Sequence, residues 1–250
     1  MNFNSLPTPD GAERWALFLD FDGTLAEIAP TPAEVSVPSA LPATLSALHR
    51  NLDGALALIS GRPLAELDAF LAPASLPGAG LHGAELRDGG GTVHRSARPP
   101  AGFDAVKAQL EALVQADPRL LLEDKVMTLA LHYKRAPGRR NECLDAARRG
   151  VDALAGFMLL EGKDVFELKP AGASKGTAIG TFMRAAPFTG RQPVFAGDDV
   201  TDENGFDVVN ERGGISIKIG GGETRATYRT DSVGDFRDWL DHISQLIATR

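Results

Sequence analysis

Two apolar runs in this chain end in carboxylates. "LFLDFDGT" closes on Asp20 and Asp22, and "VFAGDDVTDE" closes on Asp198, Asp199, Asp202 and Glu203. Burying a carboxylate is costly unless something of opposite charge pairs with it. Several together at a strand end call for a hard cation, and an all-oxygen set of this kind suits Mg²⁺. The bland alternative is that Asp-Gly and Asp-Asp form turns and cap helices. It accounts for one such segment more easily than for two. Two further segments supply groups that hold phosphoryl oxygens. "LISGR" sets Ser60, Gly61 and Arg62 after another apolar run, and "KPAGASKGTAI" puts Lys175 at the start of a helix, where its ammonium and the helix's positive end can both face an anion. Alone, Ser60 reads equally well as a cap and Lys175 as a solvated surface lysine.

These residues need a frame that gathers strand ends. "WALFLD" (15–20) and "GALALIS" (54–60) are short apolar runs suited to strands covered on both faces. Between and after them, Leu41, Leu45, Leu48 and Leu52 recur as one helix face, and "RPLAELDAFL" (62–71) begins a second helix with Pro63 near its start. "GLHGAEL" (80–86) reads as a third strand. Strand–helix–strand alternation predicts a parallel α/β sheet, whose strand ends share one ligand-binding edge. The texture changes after "ARPPAG" (97–102). An amphipathic helix from Phe103 is followed by "RLLLEDKVMTLALHYK", a helix, "GFMLLEG" and "DVFELKP", with the period-2 alternation of antiparallel strands that keep one face open. Residues 103–168 therefore read as an inserted α+β domain. Buried α/β texture returns with "QPVFAGDD" (192–199), "GISIKIG" (214–220) and a closing helix carrying Val233, Phe236, Leu240 and Ile243.

Composition narrows the function. The net charge is −7, which argues against a nucleic-acid binder. Cys143 is the only cysteine, so neither an intrachain disulfide nor a cysteine-rich zinc site is available. The polar leader to about residue 14 is not a secretory signal and reads as frayed, and no apolar stretch reaches the length needed to span a bilayer. A cytoplasmic protein without membrane or nucleic-acid partners is the expectation; oligomeric state is left open.

The order DxDGT, strand-end Ser, Lys before a helix and GDDxTDE resembles the four motifs of the haloacid dehalogenase superfamily. The insertion resembles that superfamily's second type of cap. More narrowly, "LDFDGTLAEIAPTP", "LISGRPL", "GLHGAEL", "LEDKVMTLALHY", "FELKPAGASKG" and "GDDVTDE" are similar to the trehalose-6-phosphate phosphatases, through most of the chain.

The resemblance implies a Rossmann-like core of residues 1–102 and 169–250 with a cap at 103–168. It implies a Mg²⁺-dependent phosphatase that hydrolyses trehalose 6-phosphate, the final step of trehalose biosynthesis. Asp20 would be the nucleophile that becomes an aspartyl-phosphate. Asp22 would protonate the leaving oxygen and then take a proton from water. Mg²⁺ would sit among Asp20, the Asp22 main-chain carbonyl and Asp198, with Asp199 or Asp202 contacting it directly or through water. Ser60 and Lys175 would hold phosphoryl oxygens, assisted by Thr24, Gly61 and Arg62. In the cap, Glu123, Lys125 and Glu167 would grip the distal sugar, with His132 and Arg135 as further contacts; without the resemblance they read as a solvated face. Competing readings are a phosphatase for sucrose phosphate or mannosylglycerate phosphate, and a sensor that binds a sugar phosphate without turnover. His82 and Cys143 read as structural.

Overall fold

The computed structural model describes residues 6–9, 14–31, 34–95 and 99–248; most of the leader and part of the 97–102 segment lie outside them. Contacts divide the chain into two compact units, residues 1–94 with 174–250, and residues 95–173. The segment 103–168 lies within the second.

The first unit begins with β1 (Trp15–Leu19), α1 (Leu41–Asn51), β2 (Leu56–Ile59), α2 (Leu64–Leu71), β3 (Gly78–Gly80), β4 (Glu85–Arg87) and, at the boundary, β5 (Val93–Arg95). The second holds α3 (Phe103–Ala116), β6 (Leu121–Asp124), β7 (Leu129–His132), α4 (Arg140–Asp152), β8 (Phe157–Gly162) and β9 (Val165–Pro170). The chain returns to the first unit through α5 (Lys175–Phe182), β10 (Gln192–Gly197), α6 (Glu203–Glu211), β11 (Ile215–Ile219), β12 (Tyr228–Thr230) and α7 (Val233–Ala248).

The first unit's sheet has the order β12-β11-β10-β1-β2-β3-β4-β5. From β12 through β3 each neighbouring pair is parallel, and β4 turns back antiparallel to β3. Every residue of β1, β2 and β11 is buried, as strands between helical layers must be. Helices pack in pairs, α1 with α7 and α5 with α6. Leu41, Leu45 and Leu48 of α1 are buried, as their spacing predicts. Ser174 caps α5 with its side chain accepting from the Thr177 N–H. "GLHGAEL" is not one strand. β3 stops at Gly80, and Leu81, His82 and Gly83 all adopt positive φ before β4 begins. That left-handed turn reverses the chain, which uninterrupted extended backbone cannot do.

The second unit pairs its strands as β6-β7-β9-β8, all antiparallel. Leu129, Leu131, Phe166 and Leu168 join Phe103, Val106 and Leu110 of α3 and Cys143 and Ala147 of α4 in one core. The opposite face was expected to be open. Ala130, Glu167 and Lys169 on it are nevertheless buried. Among the described residues no helix is long and apolar enough to cross a membrane.

Candidate active site

β1 lies between β2 and β10, with Leu19 level with both Leu58 and Ala196. The residues that follow these strands therefore emerge on one edge: Asp20, Ser60 and Asp198. β1 is also where strand order reverses, β2 and β3 lying to one side and β10 to β12 to the other. Open α/β sheets bind ligands at such a switch point.

Asp20 and Lys175 are each 3% exposed. Lys175 Nζ donates to Asp20 Oδ1 at 2.7 Å and to Asp202 Oδ1 at 2.6 Å. Thr24 Oγ1 donates to Asp20 Oδ2 at 3.2 Å. The Asp20 carboxylate is thus oriented through both oxygens. The second oxygen of the fully buried Asp202 accepts the backbone N–H groups of Asp198 and Asp199, at 3.1 and 2.9 Å. The acidic strand end is a tight turn folded around Asp202. A Cβ at Gly197 would lie 2.3 Å from the Asp202 Cγ, so the strand must end in glycine.

One oxygen from each of Asp20, Asp198 and Asp202 falls within 4.8 Å of the others. Three carboxylates share the Lys175 ammonium, with the Lys218 charge acting on Asp198 as well, so negative charge stays in excess. Burial, with Asp202 adding to it, pushes the Asp198 carboxyl up to about 7. Burial likewise raises Asp20 against the pull of Lys175. Burial also opposes charge on Lys175, but Asp20 and Asp202 outweigh it and hold the ammonium above the ordinary lysine range. A divalent cation would cancel the excess, and the donors present fit one. The Asp198 carboxylate accepts no hydrogen bond among the described residues. Gly23, at φ +74°, presses its backbone so close that a Cβ would lie 2.0 Å from Asp198 Oδ2. Asp20, Asp198 and Asp202 each bring an oxygen to the common space; those of Asp20 and Asp202 already accept hydrogen bonds, and those of Asp198 do not. Asp199 is only half-buried.

Ser60 is buried, and its Oγ accepts the Arg62 N–H at 3.1 Å. The Ser60 carbonyl accepts the His82 N–H at 3.0 Å. A Cβ at Gly61 would meet the His82 ring at 2.7 Å, so the ring packs directly over this turn. Arg62, expected among the substrate contacts, directs Nε and Nη2 at the two oxygens of Asp22, at 2.7 and 2.8 Å. Its Nη1 meets Glu66 Oε2 at 2.9 Å.

In the second unit, register sets Glu123 and Glu167 on either side of the small Ala130. Lys125 Nζ lies 3.6 Å from Glu123 and 3.9 Å from Glu167, and His132 Nε2 lies 3.1 Å from Glu123. Burial works to raise the Glu123 carboxyl, but His132 and Lys125 overcome it and hold it below its usual value. Lys169 is buried and bonded to the Ala173 carbonyl, and burial lowers its ammonium. Arg135 is exposed in the turn after β7 and takes part in none of these ion pairs.

Sequence reasoning passed over Glu66 and Lys218. Glu66 stands four residues after Arg62, a spacing that brings charges together at a helix start. Lys218 interrupts the buried strand β11, level with Gly197, and its charge draws the Asp198 carboxyl down. A lysine inside "ISIKI" was the available signal.

Comparison with known proteins places this arrangement. The trehalose-phosphatase family model matches residues 18–233. Trehalose-6-phosphate phosphatase of Escherichia coli K12 is 47% identical over 243 residues, covering 97% of this chain and 91% of the relative. The crystal structure of a trehalose-6-phosphate phosphatase related protein superposes with a TM-score of 0.78 at 27% identity, over 93% of this chain and 98% of the other. A phosphatase of the haloalkanoate (HAD) enzyme superfamily from Bacteroides thetaiotaomicron shares the fold, with a TM-score of 0.61 at 17% identity over 95% of this chain and 98% of the other. The α/β core thus shares its fold with a member of that superfamily, and the chain belongs to the trehalose-phosphatase family of hydrolases.

Proposed function

We propose that this protein hydrolyses trehalose 6-phosphate to trehalose and inorganic phosphate through an aspartyl-phosphate at Asp20, as the last step of trehalose synthesis in the cytoplasm. The observation that carries the reading is the Asp20 carboxylate, buried at the switch point and aimed through both oxygens by Lys175 and Thr24. An Asp20 oxygen attacks phosphorus as the bond from phosphorus to the sugar oxygen breaks. Asp22 gives that leaving oxygen its proton. In the second step Asp22 takes a proton from water, whose oxygen displaces phosphate from Asp20. Splitting one displacement in two lowers each barrier.

Lys175 and Ser60 hold phosphoryl oxygens where charge gathers. Asp20, Asp198 and the Asp22 carbonyl would hold Mg²⁺, with Asp202 shaping the turn that presents Asp198. When bound, the ion supplies positive charge against nucleophile and phosphoryl group together. Glu123, Lys125 and Glu167, with His132 beside them, serve the distal sugar through charged hydrogen bonds to hydroxyls.

Phosphate release across a panel of sugar phosphates tests the substrate. The kcat/KM for trehalose 6-phosphate should exceed that for sucrose and mannosylglycerate phosphates by roughly a hundredfold, because a site built to pair with hydroxyls rejects what leaves it unpaired. Asp20→Asn should abolish turnover while the circular dichroism spectrum stays unchanged. A flat profile across the panel overturns the substrate, and residual turnover in Asp20→Asn overturns the covalent step.

A further inference from the structure

We propose that Arg62 acts on Asp22 rather than on the substrate: it is a positioning residue that holds the proton-carrying carboxyl in line with the leaving oxygen. The proposal rests on the reading of Asp22 as acid and base. The Asp22 backbone is held by a bridge to Ala26 that closes the turn, but its side chain is 38% exposed and lies outside the helices and strands. Left to itself it would sample several rotamers, and catalytic proton transfer needs one. The Arg62 side chain is only 9% exposed, and the edge carrying Nε and Nη2 grips both Asp22 oxygens in a bidentate fork.

The fork is itself fixed. Glu66 takes Nη1. The guanidinium carbon lies 5.8 Å from the Phe21 ring centre and 5.1 Å from that of Phe70, rings that pack on each other at 5.3 Å. Main-chain bonds tie the base of the residue to the same turn: the Arg62 N–H donates to Ser60 Oγ, and the Arg62 carbonyl accepts the Leu81 N–H. Arg62 thereby links the end of β2, with its phosphate-binding serine, to the end of β1, with its acid. An arginine serving the phosphate would turn this edge to the phosphoryl oxygens. Here Asp22 takes it. Lysine could match the charge but not the planar two-point grip.

Single-turnover phosphorylation of the enzyme tests this with two substrates. Trehalose 6-phosphate has an alkoxide leaving group that needs a proton. p-Nitrophenyl phosphate leaves as a stable anion and needs it far less. Asp22→Asn should lower the ratio of the two rates by about 10²–10⁴-fold, the worth of general acid catalysis. Arg62→Gln should lower the same ratio by roughly ten- to hundredfold, as misplacement of a catalytic group does, and Arg62→Lys should restore part of it. Residues that act only through one another are not additive, so Asp22→Asn/Arg62→Gln should be no slower than Asp22→Asn alone. Glu66→Gln, at a more exposed residue, should lower the ratio about twofold to fivefold and carries the test if Arg62→Gln does not fold. Equal slowing of both substrates by Arg62→Gln or Glu66→Gln, or a further loss on top of Asp22→Asn, would overturn the proposal and put Arg62 on the phosphate. An unchanged ratio in Asp22→Asn would overturn the acid–base reading and this proposal with it.

Discussion

At Gly23 the need for a missing side chain is plainest. The residue adopts φ +74°, and a Cβ would lie 2.0 Å from Asp198 Oδ2. Alanine there incurs left-handed strain of about 1–2 kcal/mol and displaces the carboxylate from its neighbours. Because a shift of about 1 Å costs on the order of a hundredfold in rate, Gly23→Ala should lose at least that much in kcat. Its melting temperature should fall only by a few degrees, as roughly 1–2 kcal/mol implies for a chain of this size. Kinetics and thermal melting of one preparation check both. Near-normal kcat in Gly23→Ala would show that Asp198 need not stay where the loop holds it.

At the scale of elements, parallel register does for the core what antiparallel register does for the second unit. In the core, pairing of Leu19 with Leu58 and Ala196 levels three strand ends. In the second unit, pairing through Ala130 brings Glu123 and Glu167 from separate strands onto one row with Lys125 between them. If that row grips the distal sugar, truncation removes binding energy remote from phosphorus, which affects kcat as well as KM. Each charged hydrogen bond is worth on the order of 1.5–3 kcal/mol. Glu123→Ala, Lys125→Ala and Glu167→Ala should therefore each lose roughly ten- to hundredfold in kcat/KM on trehalose 6-phosphate. Turnover of p-nitrophenyl phosphate, which has no second sugar, should change little. Parallel losses on both substrates would mean that the row supports folding instead.

Across the whole molecule, the excess charge among Asp20, Asp198 and Asp202 couples ion binding to stability. A ligand that binds only the folded state stabilises it by about 2.7 kcal/mol at a hundredfold excess over its Kd. At roughly 2–4 °C per kcal/mol, saturating Mg²⁺ should raise the melting temperature of the chelated protein by about 5–10 °C. Asp198→Asn should abolish that rise. Without metal, the same variant should melt no lower than its parent, since one of three crowded carboxylates is gone. An equal Mg²⁺ response in parent and variant would exclude Asp198 from the ion's site.

The order of motifs, the alternation of short apolar runs with helices and the change of texture after residue 102 were all legible in the chain. Asp20, Ser60, Lys175 and Asp198 stood out as candidates there, because periodicity and turn residues are local and a carboxylate ending an apolar run is conspicuous. The partners were not legible. That Asp202 turns one oxygen to Lys175 depends on two segments 27 residues apart in the chain packing together, while its other oxygen closes its own turn. That Arg62 grips Asp22 depends on β1 lying beside β2, since the two residues are 40 apart in the chain. The left-handed turn at Leu81, His82 and Gly83 was hidden because Leu81 and His82 do not favour it locally; the reversal of β4 onto β3 imposes it. Residue types declare which chemistry is affordable, but long-range packing decides which atom each charge faces, because hydrogen bonds and ion pairs act over a few ångströms and only the fold brings distant segments that close.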